Sequence, residues 1–102
     1  MRSASLIYNP RSGRQRHAQV LDALLTALRG GGLDVEPVPT AFPGQATALA
    51  RERRQSAEVV FAFGGDGTAR EVASGLMGGP AALGVLPGGT ANLLALALGL
   101  PR

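Results

Sequence analysis

The fold of this 102-residue chain is decided by the stretch VVFAFGGDGT at residues 59–68. Its first five residues are apolar without alternation, which is typical of a strand covered by helices on both faces. The glycines that follow let the backbone turn sharply, and residues 69–77 have the spacing of an amphipathic helix. The stretch therefore predicts a central strand of a parallel sheet, a glycine turn, and a helix that packs back on the sheet.

Three further strands and three further helices are predicted on either side of this stretch. The strands are residues 4–8, 33–37 and 83–86, and the helices are an amphipathic one around residues 20–28, a weaker one from residue 46 to residue 55 or 56, and an apolar one at residues 93–98. Pro37 and Pro39 place the strand at residues 33–37 near a sheet edge, because proline has no N–H to offer a central ladder. Strands that alternate with helices predict one Rossmann-like, three-layer α/β domain with a parallel sheet over residues 1–102.

Composition narrows the class of partner. The net charge is +3, the ten basic residues are all scattered arginines, and three Phe and one Tyr are the only aromatic residues. A stacking surface for nucleic acid is therefore not expected. The absence of cysteine excludes disulfides, and the absence of lysine excludes a Walker loop. No signal peptide is visible, and the longest apolar run, residues 93–98, is too short to span a bilayer, so we expect a cytoplasmic domain.

Four loops follow the four predicted strands, and they carry residues suited to ligand binding. They are residues 9–13, Thr40, residues 64–68 and residues 87–92. The carboxyl ends of parallel strands meet at one edge of a sheet, where ligands usually bind. Two of these loops are glycine-rich strand-to-helix turns closed by a threonine, which predicts a phosphate site. The alternative is that the glycines only make the tight turns that a parallel fold needs.

Asp66 is the only carboxylate within a glycine turn. It would repel a phosphate unless a divalent cation lies between them or the carboxylate points at the N–H groups of the turn. We therefore predict that Asp66 organises bound phosphates, through Mg²⁺ or through the backbone of the turn; a helix-capping aspartate is the alternative. Glu71, in the first turns of the next helix, is expected to hold the turn or line the pocket, or else only to favour the helix dipole.

Taken together, the two glycine turns resemble those of the diacylglycerol kinase catalytic domain family, which includes bacterial lipid kinases and sphingosine kinases. The resemblance rests on Gly64-Gly65-Asp66-Gly67-Thr68 and on Pro87-Gly88-Gly89-Thr90-Ala91-Asn92. The loop Asn9-Pro10-Arg11-Ser12-Gly13 is similar to the first loop of that family, and Thr40 stands where its nucleotide-contacting threonine stands. The first turn is shared with NAD kinases, and the second turn favours the lipid kinases.

The resemblance implies an ATP site with Mg²⁺ accompanying the nucleotide, and Asp66 is the candidate to meet that metal. The implied nucleotide contacts are Asn9, Pro10, Arg11, Ser12, Gly13, Thr40, Gly65, Asp66, Gly67, Thr68, Ala69, Arg70, Glu71 and Thr90. The chain departs from the family pattern at Leu93, where many relatives have aspartate, and at Ser74, where asparagine is common. The first departure argues against a carboxylate role at that position.

Members of the family continue into a second, β-rich domain that is expected to supply the general base and part of the lipid groove. We expect that domain to be absent from these 102 residues, so no catalytic residue is assigned and the chain alone is expected to be inactive. The implied reaction of the whole protein is transfer of the γ-phosphoryl of ATP to a lipid hydroxyl, such as that of diacylglycerol, at the membrane surface. An NAD kinase-like enzyme and a non-catalytic nucleotide-binding module are the alternatives. The apolar helix predicted at residues 93–98 suggests self-association or docking on another domain.

Overall fold

A four-stranded parallel sheet forms the centre of the chain, which we describe from a computed structural model over residues 2–10 and 17–86. The strands are β1 (Arg2–Tyr8), β2 (Leu33–Pro39), β3 (Val59–Phe63) and β4 (Ala82–Leu86), and the helices are α1 (His17–Gly30), α2 (Gln45–Arg53) and α3 (Asp66–Leu76). The order of the strands is β2-β1-β3-β4, and every pair is parallel. The predicted α/β fold with a parallel sheet is confirmed.

Helices cover both faces of the sheet, as predicted. Leu6 and Ile7 are neighbours in β1 and are both fully buried, but they point to opposite faces. Leu6 belongs to a core that includes Val20 and Leu24 of α1. Ile7 belongs to a second core, which includes Ala50 of α2 and Val72 of α3. The chain therefore has three layers, with α1 on one side of the sheet and α2 and α3 on the other.

Two predictions about strand position are confirmed. β3 lies inside the sheet between β1 and β4, and β2 lies at an edge. β2 is two residues longer than the sequence pattern indicates, because Pro37 pairs with Leu6 and Pro39 pairs with Tyr8 in the parallel register. An edge strand tolerates these prolines, since the side of the strand that faces away from β1 needs no N–H donor.

The start of α3 differs from the prediction. The helix begins at Asp66 and not at residue 69, because the turn occupies only residues 64 and 65. Gly64 has a φ of 152°, a backbone conformation open to glycine alone, and Gly65 is the extended N-cap with a φ of −87°. As a result, Asp66, Gly67 and Thr68 form the first helical turn.

The switch in strand order lies between β1 and β3. The chain runs from β1 outward to β2 and then crosses back past β1 to add β3 on its other side. At such a point the connections on the two sides diverge and leave a crevice at the carboxyl ends of the strands. The loops after β1, β2 and β3 all begin at this edge.

The second glycine turn at residues 87–92 and the helix predicted at residues 93–98 lie outside the described residues. Among the helices that the structure describes, none is long and apolar enough to cross a membrane.

Gly75 allows α2 and α3 to pack closely. A Cβ added at this glycine would lie 2.7 Å from the Cβ of Ala50, 3.0 Å from the backbone nitrogen of Arg51, and in contact with the carbonyl oxygen of Thr47. Ala46 and Ala50 are the buried residues of α2, so the fully buried positions of this helix carry only small side chains. The two helices therefore depend on small residues to approach each other.

Replacing Gly75 with alanine should lower the free energy of unfolding by about 1–3 kcal/mol, the usual cost of overpacking a core. The added methyl group must push α2 away from α3, because the nearest atoms are mostly backbone atoms that cannot rotate aside. The better helix propensity of alanine offsets only part of this cost. Urea unfolding followed by circular dichroism measures the change.

Gly67→Ala is the matched control, because Gly67 lies in the same helix and an added Cβ there meets nothing within 4 Å. We expect this variant to be as stable as the wild type, or more stable by up to about 1 kcal/mol. If Gly75→Ala unfolded at the wild-type urea concentration, the close contact between α2 and α3 would be contradicted.

Candidate functional site

A pocket of about 410 Å³ lies at the carboxyl edge of the sheet, at the switch between β1 and β3. Its walls come from the loops after β1, β2 and β3 together with the first turns of α2 and α3. The described lining residues are Asn9, Thr40, Ala41, Phe42, Pro43, Ala46, Gly65, Gly67, Thr68 and Glu71. Tertiary structure thus joins three loops that are far apart in the chain.

The structure brings many of the sequence-predicted residues to this pocket. Those that line it are Asn9, Thr40, Gly65, Gly67, Thr68 and Glu71. Asp66 is exposed at the start of α3, between two lining glycines. Pro10 and Arg70 are exposed, and Ala69 packs against the core shared by α2 and α3; none of the three is among the lining residues.

Four of the predicted nucleotide contacts lie outside the described residues, namely Arg11, Ser12, Gly13 and Thr90. For all of the predicted contacts, the role in binding nucleotide stays a prediction.

The N-terminus of α3 has backbone N–H groups that a helix leaves without an intrahelical partner. The first backbone hydrogen bond of the helix is donated by the Ala69 N–H to the Gly65 carbonyl, over 3.3 Å. Within the described part of the chain, the N–H groups of Asp66, Gly67 and Thr68 have no such partner. The helix dipole adds a partial positive charge at this end. The N-terminus of α3 is therefore suited to an anion.

Glycine keeps this N-terminus open. A Cβ built at Gly65 or at Gly67 would meet nothing within 4 Å, and both residues line the pocket. A side chain at either position would therefore project into free space that a ligand can use. Neither residue has a positive φ, so they are not needed for the turn itself, which depends on Gly64. Gly64 therefore shapes the backbone of the turn, whereas Gly65 and Gly67 leave room for a ligand.

Asp66 is not the N-cap of α3. The cap is Gly65, and no side chain makes a capping hydrogen bond. The carboxylate of Asp66 is exposed, and no hydrogen bond or ion pair of it occurs among the described residues. It therefore stands beside the pocket with its oxygen atoms available. In the described ranges, no three or more His, Cys, Asp or Glu residues are grouped so that they could hold a metal ion.

Glu71 fixes the loop between β2 and α2. Its Oε1 accepts a hydrogen bond from the Gly44 N–H over 3.2 Å, and its backbone carbonyl accepts one from Thr47 Oγ1 over 2.9 Å. Gly44 is the N-cap of α2 and has a φ of 88°. Glu71 therefore lines the pocket, as one interpretation of the sequence expected, but the segment it holds is the neighbouring loop and not its own turn.

A second link joins this loop to the sheet. The Thr40 N–H donates to the carbonyl oxygen of Tyr8 over 2.9 Å, which continues the pairing of β1 and β2 beyond the end of the strands. The loop is therefore tied to β1 at its start and to α3 at its end. Ala41, Phe42 and Pro43 of this loop form a wall of the pocket, and the loop is held at both ends.

The sequence patterns missed several residues that line the pocket. Ala41, Phe42, Pro43 and Ala46 line the pocket, although only Thr40 was singled out in this part of the chain. For Ala41, Phe42 and Pro43, the position soon after a strand is an available signal, because such loops lie at the ligand-binding edge. Ala46 lies in the first turn of α2. Apolar residues in a loop carry no recognisable motif, so this signal could not identify them individually.

Glu71 is the only ionisable side chain among the described lining residues. Attraction of an anion by these residues therefore rests on backbone N–H groups and on the helix dipole.

The chain belongs to the diacylglycerol kinase catalytic domain family, whose model matches residues 3–102. It is 39% identical over 105 residues to a diacylglycerol kinase of Bacillus subtilis, covering 100% of this chain and 35% of that protein. It is also 39% identical over 101 residues to a diacylglycerol kinase of Staphylococcus saprophyticus, covering 96% of this chain and 33% of that one. The family resemblance inferred from the two glycine turns is confirmed.

A solved structure shows the same fold. A crystal structure of a diacylglycerol kinase from Bacillus anthracis superposes with a TM-score of 0.74 at 29% identity, over 97% of this chain and 38% of that chain. The chain thus spans little more than a third of the length of the relatives that it matches.

Replacing Glu71 with alanine should loosen the loop between β2 and α2, because the Gly44 N–H loses its acceptor. Since this bond is exposed, we expect only a small loss of unfolding free energy, about 0.5–1 kcal/mol. Amide exchange at Gly44, measured by NMR, should become faster. Glu71→Gln keeps an oxygen acceptor and is the control; equal exchange rates in the alanine variant and the wild type would contradict the proposed anchor.

Proposed function

We propose that the pocket binds ATP, and that the protein containing this domain transfers the γ-phosphoryl group of ATP to a lipid hydroxyl such as that of diacylglycerol. The observation that carries the proposal is the N-terminus of α3, which faces a pocket at the switch point of the sheet. Its first N–H groups have no backbone partner in the part of the chain that the structure describes, and its two glycines are uncrowded. The names of the relatives support a kinase that acts on diacylglycerol.

The phosphates are proposed to lie over Gly65 and Gly67. A phosphate chain needs several N–H donors and close approach to the backbone, and these glycines meet both needs. Thr68 lines the same side of the pocket and offers a hydroxyl. Phosphoryl transfer depends mainly on alignment of the groups and on neutralisation of charge. A rigid helix N-terminus contributes to both.

Asp66 is proposed to meet Mg²⁺ that arrives with the nucleotide. Its carboxylate is exposed beside the phosphate position and has no partner within the described part of the chain. Mg²⁺ prefers oxygen ligands and is commonly held by one or two carboxylates together with phosphates and water. When bound, the ion would neutralise charge on the phosphates and remove the repulsion that Asp66 would otherwise exert on them.

The lipid acceptor is proposed to meet the nucleotide at this pocket while the protein lies at a membrane surface. We assign no general base among the described residues. Asp66 is proposed to meet Mg²⁺, and Glu71 accepts a hydrogen bond from the Gly44 N–H. The base is proposed to come from outside these 102 residues, so the chain alone should be without kinase activity. Association through residues 93–98 is likewise a proposal.

The proposal is tested with the full-length protein, ATP labelled at the γ-phosphate, and either diacylglycerol in mixed micelles or NAD as acceptor. We expect label in the lipid and none in NAD. Gly67→Ala should lower kcat/KM for ATP by about tenfold or more, which corresponds to about 1.4 kcal/mol, because the methyl group enters the phosphate position.

The same Gly67→Ala protein should unfold no more easily than the wild type, which separates a binding effect from a folding effect. Label in NAD would refute the lipid kinase proposal. Binding of ATP with no transfer to any acceptor by the full-length protein would favour a nucleotide-binding module instead.

Asp66→Asn tests the role of the carboxylate. If Asp66 meets Mg²⁺, the variant should bind ATP about tenfold more weakly in excess Mg²⁺, a change of about 1.4 kcal/mol. In EDTA the variant should bind ATP as well as or better than the wild type, because a negative charge beside the phosphates is gone. Isothermal titration under both conditions measures this, and an equal loss with and without Mg²⁺ would contradict the role.

A further inference from the structure

Phe42 is an exposed aromatic residue at the rim of the pocket. It follows Thr40 and Ala41 in the loop between β2 and α2, and 60% of its surface is accessible. The other large apolar side chains that are exposed in the described part of the chain are Met77, Leu83 and Val85, and none of these lines the pocket. Phe42 therefore combines exposure with a place in the pocket wall.

The backbone around Phe42 is held in place by hydrogen bonds. Its carbonyl oxygen accepts a bond from the Gln45 N–H over 3.2 Å, and the side chain of Gln45 turns back to accept a bond from the Ala41 N–H. Pro43, which follows, has a φ restricted by its ring. Gly44 is bonded to Glu71. The ring thus stands on a loop anchored to α2 and α3, although it is not buried.

The described lining has two chemically different sides. The N-terminus of α3 offers N–H donors for an anion, whereas Phe42, Pro43 and Ala46 offer an apolar surface. A ligand that has phosphates at one end and a flat ring at the other fits both sides. Aromatic side chains stack on bases of any sequence, because every base has a π-face.

We propose that Phe42 stacks on the nucleobase and so determines how strongly this pocket prefers a complete nucleotide to phosphates alone. This inference rests on the proposed function, since it requires ATP in the pocket. It assigns a new role to a side chain that no sequence motif marks. Stacking of the Phe42 ring on the base should contribute to the affinity for ATP independently of the phosphates.

The test compares ATP with inorganic tripolyphosphate, which has the phosphate chain but no base. Isothermal titration of the full-length protein in Mg²⁺ gives both dissociation constants for the wild type, Phe42→Ala, Phe42→Leu and Phe42→Trp. Met77→Ala is the control, because Met77 is also an exposed apolar residue but stands at the opposite end of α3. Thermal unfolding checks that every variant is folded.

Loss of the ring in Phe42→Ala should weaken ATP binding by about 5- to 50-fold, within the range seen when aromatic residues that stack on bases are replaced. Phe42→Leu should also lose most of the affinity for ATP, because leucine is apolar but has no ring to stack on the base. Phe42→Trp keeps an aromatic ring and should keep the affinity. Binding of tripolyphosphate should change by no more than about twofold in any variant. Met77→Ala should match the wild type with both ligands.

The outcomes separate the inference from the proposed function. If the wild type does not bind ATP, the proposed function fails, and the inference fails with it. If ATP binds but equally well to Phe42→Ala, or if Phe42→Leu matches the wild type, stacking is overturned while ATP binding stands. An equal loss for ATP and tripolyphosphate would show that Phe42 only shapes the loop. Unchanged ATP affinity with a raised KM for diacylglycerol would place Phe42 at the lipid and overturn the inference.

Discussion

The backbone conformation of Gly64 is the constraint on which the site depends. Its φ of 152° is open to glycine alone, and it lets α3 begin at Asp66, three residues after β3 ends. With so short a connection, the first turn of α3 must lie directly at the carboxyl edge of the sheet. The N–H groups of that turn, which have no backbone partner among residues 2–10 and 17–86, then face the crevice where the strand order reverses. A longer turn would have placed them elsewhere.

One helix therefore serves the pocket in several ways along its length. Its first turn offers N–H groups and open glycines, its second turn contains Glu71, which holds the loop of residues 41–44, and Gly75 lets α2 approach. Because α2 follows that loop directly, the contact at Gly75 also helps to set where the loop lies. Packing on one face of the sheet and the shape of the pocket are consequently coupled through α3.

Much of the fold was predictable from local patterns, and the misses have physical causes. The continuous apolar run of β3 and the periodic leucines of α1 predicted their elements, because burial dictates such patterns. The sequence pattern predicts too late a start for α3, because Gly67 weakens helix propensity and Asp66 fits a turn equally well. The prolines of β2 predict too early an end for that strand, although an edge position tolerates them. Both errors concern boundaries, where local propensity is weakest.

What the sequence determined by itself was the class of the fold, the family and the residues of the glycine turn before α3. The glycines, aspartate and threonine of this turn meet local requirements of the backbone. Their spacing can therefore be recognised from the sequence alone. Tertiary structure alone decided that Glu71 anchors Gly44, that Phe42 stands at the pocket, and that Gly75 makes room for Ala50. Glu71 and Gly44 are 27 positions apart in the chain, and Gly75 and Ala50 are 25 positions apart. The position of Phe42 depends on the loop that the first of these contacts stabilises. Local sequence patterns do not show these contacts, because the residues come together only when the sheet has brought its loops to one edge.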